Sequence, residues 1–146
     1  MPNYAGKMSI ELEPLCTLHV VLRDPIPVGA GPMGMRLIFE VESAEVRGDR
    51  INGKLLGSAA ADWLLVQGNV ATLDIRATVQ TDDGALIYAA YTGRTTLGPD
   101  LAPGPLFVAP LFETGDERYL WLNSIQAVGK GIVDGHDLHY EWYEMR

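Results

Sequence analysis

Proton-transfer chemistry on a small molecule needs a carboxylate, a hydrogen-bond donor for developing oxyanion charge, and a pocket that excludes water. The stretch 61–94, ADWLLVQGNVATLDIRATVQTDDGALIYAAYTGR, offers the first two within one short unit. Asp74 and Arg76 stand two apart in an alternating run, so they share one face of an extended strand. Inside a barrel, Arg76 would hold a carboxylate or oxyanion while Asp74 acts as base or as its partner. On an outer face, with Thr72, Thr78 and Gln80, the pair would simply be solvated. Asp62 precedes Trp63, and an Asp beside an apolar wall has its pKa raised toward the range of a general acid or base. Trp63 shares its face with Leu65, as a core ring would. The expected catalytic set is Asp62, Asp74 and Arg76, with Arg36, Arg94 and Glu113 near turns or strand ends where barrel mouths lie.

Aromatic residues supply candidate walls. Tyr119, Trp121 and Asn123 alternate with Leu120, Leu122 and Ser124, which places two amphipathic rings and an amide on one face of a strand spanning 119–125. Tyr88 and Tyr91 stand among Ala85, Ala89 and Ala90, and small residues beside large rings leave room inside a barrel. The expected substrate-binding set is Arg36, Trp63, Tyr88, Tyr91, Tyr119, Trp121 and Asn123.

Other chemistries find little support. His136 and His139 have i, i+3 spacing, which splits them across a strand, and no third ligand of fitting spacing is near, so no metal is expected. His19 is a lone strand histidine. Cys16 alternates with Leu18, Val20 and Leu22 and reads as a small buried hydrophobe with no base beside it. Gly29, Gly31 and Gly34 nearly spell a dinucleotide fingerprint, but Met35 to Val41 alternates as a strand where a phosphate-binding helix should begin. No serine-nucleophile elbow occurs. No cofactor is expected.

The elements that must position these residues are strands. Runs 15–23, 35–46, 54–57, 62–67, 71–80, 85–91, 106–112, 119–125, 126–133 and 138–145 are punctuated by turn signals at Gly68-Asn69, Thr81-Asp82-Asp83-Gly84 and Asp134-Gly135. Residues 24–34, with three Pro and three Gly, read as an irregular loop, and Pro110 marks an edge or bulge. About nine or ten strands at this spacing define an all-β barrel or sandwich, and closing the sheet would remove its exposed edges. A length of 146 residues suits one domain, expected over 15–146 behind a loose segment at 1–14.

With 19 acidic against 11 basic residues the net charge is -8, and no Lys/Arg cluster offers a footprint for nucleic acid or anionic lipid. No apolar run approaches the ~20 residues of a membrane helix. The first residues lack the apolar core of a secretory signal, and the single cysteine rules out an internal disulfide. These features lead us to expect a cytoplasmic protein whose partner is a small molecule; a homo-oligomer is left open.

The combination of Ala61-Asp62-Trp63, Leu73-Asp74-Ile75-Arg76, the hairpin Thr81 to Tyr88, and Phe112-Glu113-Thr114-Gly115 followed by Arg118-Tyr119-Leu120-Trp121-Leu122-Asn123 resembles the domain of unknown function 3237 family along nearly the whole chain. The resemblance implies a single antiparallel calycin-like β-barrel and little about activity, and the Gly98 to Leu106 region looks shorter than the usual family loop. On the residues, the leading expectation is a cofactor-independent acid–base enzyme (isomerase, cyclase or lyase) acting on a carbonyl-bearing or aromatic compound, with Tyr91 or Asn123 assisting Arg76. The alternative is a non-catalytic, lipocalin-like ligand-binding barrel.

Overall fold

The computed structural model describes residues 2–146. Eleven strands run β1 (Leu12–Leu22), β2 (Ile26–Gly31), β3 (Gly34–Arg47), β4 (Gly53–Leu55), β5 (Ala61–Gln67), β6 (Val70–Thr81), β7 (Leu86–Thr96), β8 (Leu106–Val108), β9 (Leu111–Glu113), β10 (Ala127–Asp134) and β11 (Asp137–Met145). All pairings are antiparallel. The order β6-β5-β3-β1-β11-β10-β8-β7 closes on itself because β6 also pairs with β7 along eleven rungs, from Val70↔Thr96 to Gln80↔Leu86. The result is an eight-stranded barrel, with β2 and β4 added beside β3 and β9 beside β7. Alternation fixes its inside: Leu73, Ile75 and Val79 of β6 are buried while Asp74, Arg76 and Gln80 face out.

Three departures from sequence reasoning have physical causes. Residues 26–31 are a strand, not a loop. β2 pairs only with β3, so its open edge tolerates Pro27, and the register slips between Pro27 and Gly29, whose φ of 96° suits a bulge. The run 106–112 is two short strands broken at Ala109-Pro110. The segment Glu117–Ser124 is a 3-10 helix rather than a strand. Asp116 caps it by accepting from the Arg118 N–H, and it drives Tyr119 and Leu122 into the core.

That helix shuts one end of the barrel. The other end, formed by the β5–β6 and β10–β11 turns and the connections after β1 and β7, stays open. The connection after β7 carries a second 3-10 turn, Pro99–Leu101, in which Asp100 and Leu101 both adopt left-handed backbone (φ 57° and 59°). Ahead of β1, residues 2–11 lie exposed on the surface; Met1, at the start of the segment expected to be loose, lies outside the described residues. Among the described residues no helix is long and apolar enough to cross a membrane.

Candidate functional site

The open half of the barrel encloses a cavity of about 250 Å³. Its walls are almost wholly apolar, among them Leu37, Phe39, Leu64, Leu73, Leu106 and Leu138. Arg23, Leu97, Leu101 and His136 surround the mouth, where His136 Nε2 lies 2.7 Å from Asp24 Oδ1. Besides Thr95 higher on β7, the polar groups below the mouth gather at the floor. Asp62, Ile75 and Tyr91 form one row across β5, β6 and β7, and Tyr140 of β11 meets Tyr91 edge-on, ring centroids 6.0 Å apart.

Asp62 is held there by an opening in the sheet. β5 and β6 pair at Asp62↔Ile75 and again at Leu65↔Thr72, with no rung between. The Asp74 N–H freed by this gap donates to Asp62 Oδ1 at 3.0 Å, and the Trp63 carbonyl accepts from Arg36 Nη1 at 2.8 Å. Two side chains thus satisfy backbone groups that the ladder leaves open. Among the described residues nothing donates a hydrogen bond to Asp62 Oδ2, and the side chain lines the cavity. Burial pushes the Asp62 carboxyl up to about 7; the Asp74 N–H and Arg36 oppose this, while the Asp74 carboxylate adds to it.

Both tyrosine hydroxyls are neutral donors at physiological pH. Burial raises Tyr91 above its ordinary value, with Tyr140 opposing and the Asp62 charge reinforcing. Burial likewise raises Tyr140, with Tyr91 and Asp62 adding to the effect. Tyr140 lines the cavity, but its hydroxyl is fully buried and finds no well-aligned hydrogen-bond partner among the described residues, although Tyr91 is near enough to perturb its ionisation. A carboxyl poised near neutrality beside two donors, under an apolar roof, can move a proton and stabilise an oxyanion.

Of the residues expected at a site, the structure brings only Asp62 and Tyr91 to the cavity. Asp74 and Arg76 point away from the cavity, and the Arg76 guanidinium lies 5.0 Å from the ring centre of an outward-facing Trp63. The interior dyad reading is therefore corrected: strand parity places both charges in solvent. Arg36 is a backbone partner of Trp63 rather than a cavity residue. Tyr88 and Asn123 border an open depression on the outer surface with Thr78 and Glu113, and Asn123 exchanges two hydrogen bonds with the Thr114 backbone. Tyr119 donates to both Asp83 carboxylate oxygens at 2.9 Å, and Trp121 receives Arg50 over its ring at 4.7 Å. The shared face once assigned to Tyr119, Trp121 and Asn123 dissolves because 3-10 winding turns residues two apart in different directions.

Tyr140 was missed, and its signal lay in β10. A Cβ at Gly131 would stand 2.6 Å from the Tyr140 ring, so Gly131 is glycine because that ring lies flat on β10. Cys16 is buried, and desolvation pushes its thiol up to about 12, which leaves it an inert hydrophobe. His19 and His139 stack on the outer face with centroids 4.6 Å apart. Among the described residues no group of three or more His, Cys, Asp or Glu could hold a metal ion.

Fold and cavity together define a closed antiparallel β-barrel with one mouth and a polar floor. The chain belongs to the family described as "Protein of unknown function (DUF3237)", which it matches over residues 10–145. A UPF0311 protein from Rhodopseudomonas palustris is 26% identical, over 89% of this chain and 97% of the relative. A solved "beta-barrel like protein" from Acinetobacter baumannii is 29% identical with a TM-score of 0.85, covering 94% of this chain and 97% of that one. A solved structure titled as an enzyme from Penicillium herquei, 20% identical, has a TM-score of 0.71 and covers 93% of each chain; it shares the fold.

Proposed function

We propose that the barrel is a cofactor-independent acid–base enzyme that moves a proton on an apolar, carbonyl-bearing small molecule. The observation that carries the reading is Asp62: a buried carboxyl poised near pH 7, one oxygen tied to the sheet, the other open to the cavity, with Tyr91 and Tyr140 beside it. At interior packing density the cavity suits a molecule of roughly a dozen non-hydrogen atoms. In the reaction, ionised Asp62 takes a proton from the carbon next to the carbonyl. The electron pair moves onto the oxygen, where the Tyr91 hydroxyl, with Tyr140 beside it, donates to it. Protonated Asp62 then returns the proton to another atom, giving an isomerase. Collapse of the enolate onto an electrophile within the same molecule, or expulsion of a leaving group, gives a cyclase or a lyase.

Deuterium exchange into apolar cyclic ketones such as 2-tetralone, followed by proton NMR, tests this. Exchange should be accelerated, rise with pH through about 7 as Asp62 ionises, and fall on the order of 100-fold or more in Asp62→Asn. Equal exchange by wild type and Asp62→Asn would sink the proposal. A second reading, a ligand-binding barrel without turnover, draws on the apolar walls that make up most of the cavity. It predicts tight ketone binding with no exchange.

A further inference from the structure

The barrel interior holds a second, smaller cavity of about 40 Å³ below the first, on the side toward the closed end. Four residues line both: Val20, Val41, Ile75 and Tyr91. They form a waist, and Tyr91 is the one ring among them. Its orientation is fixed by two edge-on contacts, to Tyr140 at 6.0 Å and to Trp142 at 5.1 Å between ring centroids. Below it on the same face of β7, two residues along, the wall is Ala89; Ala77 and Ala44 also line the lower chamber, among larger apolar side chains such as Leu18, Val79 and Ile87. Among the described residues no polar side chain lines that lower chamber besides Tyr91, Cys16 and Trp142.

We infer that Tyr91 is the specificity-determining partition of the barrel, setting the length of apolar ligand the site accepts by closing the lower chamber. The inference rests on the upper cavity being a ligand site, as proposed above, and extends it from chemistry to size selection. A ligand entering at the mouth is stopped at the Asp62–Tyr91–Tyr140 floor, and further length stays in solvent at the mouth. With the ring shortened, the two chambers join and the ligand can run on past Ala89.

Calorimetric binding of unreactive 1-alkanols, hexanol to dodecanol, reads this directly and independently of any turnover. For wild type, affinity should rise about fourfold per methylene up to a chain length beyond which it is flat. In Tyr91→Leu and Tyr91→Val the plateau should begin at longer chains; in Tyr91→Phe, which keeps the ring, it should not move. Ala89→Val narrows the lower chamber from below and should leave the wild-type plateau unchanged. The same plateau in wild type and Tyr91→Leu overturns the inference, as does a plateau that shortens in Ala89→Val alone. Either result leaves the exchange test of Asp62 standing, and loss of ketone exchange leaves the length limit standing.

Discussion

Asp62 works against the fold at the pH where it would be useful. Its carboxyl titrates at about 7 in the folded protein and near 4 when unfolded. Below about pH 4 both states hold the proton and the group is neutral toward stability. Between about 4 and 7 the unfolded chain loses its proton first, so stability falls as pH rises, and above 7 the whole cost, up to about 4 kcal/mol, is present. Asp62→Asn keeps an acceptor for the Asp74 N–H and has no charge to bury. Urea unfolding should find the variant more stable than wild type at pH 8, with the difference vanishing toward pH 4. A variant no more stable at pH 8 would mean that Asp62 is not perturbed as described. The Asp74 amide, bonded directly to the carboxyl, should report the same titration as an NMR shift with a midpoint near 7.

The motifs most visible in the sequence, TDDGA and RYLWLN, turn out to be partners of each other. Asp83 in the β6–β7 turn receives the Tyr119 hydroxyl and the Arg118 guanidinium from the 3-10 helix. Thr114 bonds the Leu86 carbonyl from the other side and is itself held by Asn123. The two units build the closed end, far from the cavity floor. Leu122, fully buried at the centre of this seal, should cost about 3 kcal/mol on truncation to Ala. Tyr119→Phe should lower Tm by a few degrees. Thermal melts check both, and neither variant should displace a ligand bound at the mouth. Period-two alternation made the strands legible, because one buried face writes itself into composition. The 3-10 helix was not legible: Tyr119, Trp121 and Asn123 alternate as a strand would, and only the Asp116 cap betrays the winding. Asp62 could be read as a perturbed acid from its neighbour Trp63, yet what holds it is the missing rung at Trp63 and Asp74, a long-range feature with no local signature. Tyr140 escaped because its cue, Gly131, lies on another strand.

At the scale of the molecule, closure is uneven. β6 and β7 share eleven rungs, whereas β8 is joined to β10 by three and to β7 by two. The barrel should open first at this seam, which runs up to the mouth through Leu106. Native-state hydrogen exchange should show the amides of β8 and of the β7–β8 connection exchanging well before those of β6 and β7, and an occupied cavity should slow them. Uniform protection around the barrel would contradict this. The sealed floor has a kinetic corollary. A vessel with one door cannot pass its contents through, so in the proposed reaction each product molecule must leave by the route the next substrate needs. Occupancy is therefore mutually exclusive, and accumulated product should slow turnover by simple competition, overcome by raising the substrate concentration.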